Sequence, residues 1–269
     1  MKHVENAIKY VTQNGNQLDK LRLKAILGKP YTLAEAEHVL DPYQFPDGSW
    51  AYRGPEEKSE RIGSLGGTIH CLRWVRELAL EASQHMARTL EFLTSIQRED
   101  GSFYETEAKL AHSPQQWLQE ERLIDRFYFT AAVPMRLCSL GYRRHSLIEP
   151  SLEWLQHHWN NWELVAATWY GPWTLLSLYP FDVDIDESLL RRCREYTRKW
   201  IPNLETQPLT WLFDALHGAG YPAQDSIVEK GVSKLKKLQN AKGIWPDPKY
   251  STVETTITAI RLITEYHND

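Results

Sequence analysis

Cysteine is scarce in this chain. Its three cysteines, Cys71, Cys138 and Cys193, stand singly along 269 residues. No Cys-x-x-Cys pair occurs, which excludes a disulfide framework and a cysteine zinc site. Charge of one sign is lacking too. The 31 Lys and Arg nearly balance 35 Asp and Glu, for a net charge of −4, so there is no electrostatic footprint for nucleic acid or an anionic membrane. No apolar run approaches about 18 residues, so no transmembrane helix is expected. The first residues, MKHVENAIKYVTQNGN, hold no signal-peptide apolar core, and a cytoplasmic location is the expectation. Metalloprotease, nucleophile-elbow and P-loop patterns are absent, and neither a metal site nor a cofactor is expected.

What is present points to a globular chain in one domain, residues 1–269: 42% of residues are apolar and 25% charged. Tryptophan is abundant, with 11 residues. Aromatics in such number either join repeated units or line an apolar cavity.

A pattern Leu-x3-Gln-x3-Gly-x-aromatic recurs. It appears as Leu40, Gln44, Gly48 and Trp50, as Leu93, Gln97, Gly101 and Phe103, and as Leu235, Gln239, Gly243 and Trp245. A degenerate copy runs through Leu152, Gln156, Asn160 and Trp162. The spacing reads as the end of a helix. Leu and Gln share a face, and Gly, or Asn in the degenerate copy, takes the left-handed conformation that stops it. After each motif comes a polar loop, then an apolar segment with a threonine near its start: Thr68, Thr130, Thr174 and Thr256, with Thr210 opening one more such segment.

Periodicity and stop signals give six helix pairs: 2–13 with 17–28, 32–42 with 64–80, 83–98 with 119–140, 146–159 with 164–179, 186–200 with 206–218, and 224–240 with 251–267. Capping boxes are expected at Thr32 with Glu35, Ser226 with Glu229, and Ser251 with Glu254. First helices are amphipathic and second helices more apolar. The expected fold is therefore all-α, a single α6/α6 toroid of six helical hairpins. An open solenoid is the alternative, but the uneven intervals between the threonines disfavour it.

The repeated motif resembles the QW motif of squalene-hopene and oxidosqualene cyclases, the prenyltransferase/squalene oxidase repeat also found in protein prenyltransferase β subunits. The resemblance spans the whole chain. It implies an isoprenoid-processing enzyme of the class II, protonation-initiated type, although fold does not carry function by itself. Aligning the helix-start threonine with the one that follows the family's Asp-x-Asp-Asp acid motif places Glu254 on the catalytic proton donor. Only that one carboxylate of the motif survives. Asp182-Val183-Asp184-Ile185-Asp186 looks similar but precedes an outer helix, where Asp186 reads as an N-cap. Magnesium-dependent terpene synthases need an Asp-Asp pair, and zinc prenyltransferases an Asp-x-Cys; neither occurs here.

Asp125 and Tyr128 are the candidate assistants to Glu254, with an Asp125–Arg126 ion pair as the other reading of Asp125. The candidate substrate-binding residues are His70, Trp74, Phe127, Trp169, Trp173, Trp211, Asp214 and Tyr250. The aromatics would stabilise a carbocation by about 0.5–2 kcal/mol each, or else simply pack between layers. Helix N-termini converging near Gly66, Tyr128, Pro172, Pro208 and Glu254 would favour an acid or an anionic head such as a diphosphate. The loops 51–63 and 104–119 are candidate lids. Three readings stand: a cyclase-like enzyme acting on an apolar isoprenoid, a non-catalytic ring that binds a lipid or a protein partner or a second copy of itself, and a prenyl-diphosphate-using transferase with Arg53, Arg61 and Arg126 at the mouth.

Overall fold

The computed structural model describes residues 2–51, 61–112 and 121–266. It is all-α apart from one antiparallel pair of two-residue strands, β1 (Trp50–Ala51) and β2 (Gly63–Ser64). The helices run in order as α1 (Lys2–Asn14), α2 (Gln17–Ile26), α3 (Leu33–Leu40), α4 (Leu65–Glu77), α5 (Gln84–Ile96), the short α6 (Glu107–His112), α7 (Leu123–Ser139), α8 (Ile148–His158), the one-turn α9 (Trp162–Val165), α10 (Gly171–Leu178), α11 (Glu187–Trp200), α12 (Thr206–Gly218), α13 (Ser226–Leu238) and α14 (Thr252–Glu265). No described helix is long and apolar enough to cross a membrane.

The twelve expected helices are present as α1, α2, α3, α4, α5, α7, α8, α10, α11, α12, α13 and α14. Most of the expected pairs are not the packing units. α2 packs on α3, α4 on α5, α7 on α8, α10 on α11 and α12 on α13, each against the first member of the next pair, and only α1–α2 and α13–α14 pack appreciably within their own pair. The second helix of the fourth pair starts at Gly171 rather than near residue 164. Pro172, fixed in φ, is pre-organised for the first turn of a helix and sets that start. Second members other than α2 are largely buried: every residue of α10 is buried, whereas α11 buries only Leu189, Leu190, Cys193 and Thr197. The contacts among second members form a cycle. α2 touches α4, α4 touches α7, α7 touches α10, α10 touches α12, α12 touches α14, and α14 touches α2.

The repeated motif does different work from the expected helix stop. Each helix ends before the Gln, at Leu40, Ile96 and Leu238. The Gln is already extended, and the Gly closes a tight turn beyond it. Gly48, Gly101 and Gly243 have φ of +87°, +84° and +78° and donate back to the carbonyls of Phe45, Arg98 and Asn240. The Gln amide then ties this turn to another hairpin. Gln97 Nε2 donates to Gly101 O at 3.1 Å and to Leu147 O at 3.0 Å, beside α8, while Gln44 Nε2 donates to Gly48 O and to His85 O on α5. Gly243 packs directly on Asn6 of α1, so the last turn meets the first helix.

The threonines complete the unit. The backbone N–H of each motif aromatic donates to one of them: Trp50 to Thr68, Phe103 to Thr130 and Trp245 to Thr256. All three aromatics are fully buried, each contributing about 1.5–3 kcal/mol through removal from water. The degenerate copy lacks this geometry. Asn160 does not adopt positive φ and Gln156 is exposed. Thr32 with Glu35 forms the expected capping box. α13 is instead capped by Asp225, not Ser226. Asp186 caps α11 by accepting from Ser188 and Leu189.

Gly101 provides a test of this turn. A Cβ there would lie 2.2 Å from the Pro150 carbonyl oxygen, whereas at Gly141, also at positive φ (+86°), it would meet nothing. Gly141→Ala is expected to cost about 1–2 kcal/mol, the left-handed penalty alone. Gly101→Ala should cost more, because α8 must also move. Urea unfolding of the two variants measures the difference.

Candidate functional site

The space among the second helices is occupied by charge. Arg22 of α2, Arg73, Arg76 and Glu77 of α4, Arg136 of α7, Asp214 of α12, and Glu254 and Arg261 of α14 form one continuous network. Arg22 Nε meets Glu77 Oε2 at 2.5 Å, and its Nη1 pairs with Glu254. Arg73 Nη2 lies 3.0 Å from Glu254 Oε1. Arg261 joins Glu77 at 2.8 Å and pairs with Asp214, which also receives Arg76 at 2.7 Å and Arg136. The side chains of Arg22, Glu77 and Asp214 are wholly buried.

These surroundings decide what Glu254 can do. Burial pushes its carboxyl pKa up, but Arg22 and Arg73 outweigh burial and hold it below the ordinary value. The group is a clamped carboxylate, not a poised acid. The expected capping box is half formed: Glu254 N donates to Ser251 Oγ, while its carboxylate turns inward to the arginines. Asp214 is held well below the ordinary range, since Arg76, Arg136 and Arg261 overcome its burial. Its oxygens are committed to those guanidiniums, which argues against substrate contact. Burial and the charge of Arg73 push His70 well below the usual imidazole range, so the ring is neutral. It lies 3.0 Å from Arg73 Nη2. Arg136 is lowered to about 10 by burial and by its like-charged neighbours, against the pull of Asp214.

The helix N-termini at the opposite end already hold the protein's own carboxylates. Glu105 accepts from Leu65 N at 2.6 Å and Gly66 N at 3.0 Å, on α4. Asp247 accepts from Gln207 N at 2.9 Å, on α12. Asp125, in the first turn of α7, is fully buried and grips Arg122 bidentately at 2.8 and 3.1 Å. The ion pair expected with Arg126 is not made. Arg126 instead bonds Asp100 and Ser102 and lies over Trp154. The N-termini of α4 and α12 are therefore satisfied from within, where an incoming anionic head had been expected. Arg61 is likewise occupied, by the Pro42 carbonyl and the Phe45 ring. Arg53, with residues 52–60 of the first candidate lid loop and 113–119 of the second, lies outside the described residues.

The candidate aromatics divide into two groups. Phe127, Trp173 and Trp74 are buried at 1%, 2% and 5% exposure and belong to the core. Trp74 packs against Tyr43, His70 and Arg22. Tyr128, Trp169, Tyr170, Trp211 and Tyr250 are only half-buried. They cluster where α7, α10, α12 and α14 begin. The Tyr128 and Tyr170 ring centres are 4.5 Å apart, and those of Trp211 and Tyr250 5.4 Å. Burial pushes the Tyr170 hydroxyl up to about 12. Among the described residues no three His, Cys, Asp or Glu side chains gather as metal ligands.

The arginines were missed in the sequence, though a signal existed. Arg73, Arg136 and Arg261 each interrupt an apolar run four to six residues after a helix-start threonine, and Asp214 does the same in TWLFDAL. A shared register of charges inside buried helices marks an interior network.

Asp214→Asn is expected to cost about 3–5 kcal/mol, because it strands guanidiniums in the interior; urea unfolding measures it. The depressed pKa values of Asp214 and Glu254 also fix a sign. Their contribution is complete above the unfolded carboxyl pKa of about 4. It is lost as pH falls through the lower folded values. Acid unfolding followed by circular dichroism should therefore begin below about pH 4 and depend less on pH in the Asp214→Asn chain.

No protein-family model matches the chain, and no curated protein matches it either.

Proposed function

We propose that this chain is a helical double ring that binds an apolar, isoprenoid-like molecule at the aromatic end of its inner helices without protonating it. The half-buried cluster of Tyr128, Trp169, Tyr170, Trp211 and Tyr250 carries this reading. Its rings offer apolar faces that a polyprene can cover, and they remain partly accessible while the rest of the inner layer is packed. The QW-like motif supports the isoprenoid class. The clamped, ionised Glu254 supports binding over cyclisation, because alkene protonation needs a carboxylic acid that still holds its proton.

The test combines tryptophan fluorescence with product analysis. Farnesol and squalene are expected to change the emission saturably. Trp211→Ala should weaken binding about tenfold, the worth of one aromatic contact. GC–MS should return both compounds unchanged with or without magnesium. A cyclic product that forms without magnesium and disappears in Glu254→Gln would overturn the binding-only reading and establish the cyclase.

A further inference from the structure

The far end of the ring carries a second feature, independent of the aromatic cluster. The inner helices α2, α4, α12 and α14 end around an open pocket of about 350 Å³, lined by Ala25, Ile26, Arg76, Glu77, His217, Gly218, Arg261 and Glu265. It opens directly onto the buried charge network. We propose that this pocket binds a phosphoryl group, free or at the end of a small ester.

Two observations meet there. Arg76 Nη1 and Arg261 Nε are buried and donate to no acceptor among the described residues, while other nitrogens of the same guanidiniums hold Asp214 and Glu77. Arg261 is 3% exposed and so is fixed by its partners. Second, Glu265 Oε2 accepts no hydrogen bond among the described residues, though it lies 3.6 Å from Arg261 Nε and 3.3 Å from His217 Nε2.

A phosphoryl group answers both. Its oxygens accept from the two guanidiniums, the pairing for which arginine geometry is suited. Burial, resisted by Arg261 and Arg76, pushes the Glu265 carboxyl up to about 7, so near neutral pH it can share a proton with a phosphoryl oxygen. Helix C-termini carry partial negative charge and oppose an anion, but the partial charges are smaller than the two full charges of Arg76 and Arg261. Ala25 and Ile26 give an apolar wall for the body of an ester.

Gly218 gives a clean variant. A Cβ there would fall 1.8 Å from Arg76 Nη1, so Gly218→Ala displaces the guanidinium without removing a charge. Arg76→Gln removes the charge itself. Inorganic phosphate and glycerol 3-phosphate are titrated into the full chain, in chloride buffer near pH 7, by calorimetry, with the thermal midpoint as a second readout. Saturable binding by either compound, weakened about tenfold or more in both variants, is expected; tighter binding of the ester identifies an esterified ligand, and of phosphate a free one. No heat and no midpoint shift up to about 10 mM of either compound overturns the proposal. Equal affinity in wild type and both variants overturns it as well, because the anion would then sit elsewhere. Neither result bears on binding at the aromatic end, which is read by fluorescence.

Discussion

The buried lattice of guanidinium and carboxylate groups is the constraint on which the rest of the helical fold depends. It draws side chains from α2, α4, α7, α12 and α14, five of the six inner helices. Apolar surfaces slide over one another at little cost, whereas bonded charges removed from water have few acceptable arrangements. The outer helices and their turns fix the spacing of the hairpins, and the lattice fixes how the inner helices are rotated. It also accounts for the limits of the candidate chemistry. A carboxylate held by two arginines is a poor proton donor, and a histidine held among arginines stays neutral.

The fold was legible in the sequence because its signals are local and repeated. Helix positions followed from the alternation of amphipathic and apolar segments, and the motif marked three of the connections, but which helices pack together did not: α7 lies on α8 and α10 on α11, each against the first member of the next pair. The meaning of the motif was less legible. Leu40 and Gln44 have the spacing of a helix face, yet the helix ends at Leu40 and the Gln side chain reaches another hairpin. Spacing along the chain cannot distinguish a helix stop from a turn that follows one. The threonines were visible as a recurrence, but their role as acceptors for Trp50, Phe103 and Trp245 is a contact between segments.

The site was less legible still. Glu254, Asp214 and His70 do meet near one axis, but the groups that set their chemistry, Arg22, Arg73, Arg76, Arg136 and Arg261, come from distant parts of the chain. A carboxylate's protonation state depends on the charges around it, and one sequence does not reveal which those are. Asp125 illustrates the same point. Its neighbour in sequence, Arg126, turns outward to Asp100, and Arg122, one helical turn earlier, takes its place.

The last glycine turn packs on Asn6, and α14 packs on both α1 and α2. In a linear array of repeats each unit leans on its neighbours, and the end units can fray without loss to the middle. Here the final unit is also the neighbour of the first. No hairpin is terminal in the mechanical sense, and releasing any one turns two interfaces into edges. Such a ring trades the graded stability of a solenoid for all-or-none behaviour, in which local damage at one turn is felt around the whole circumference.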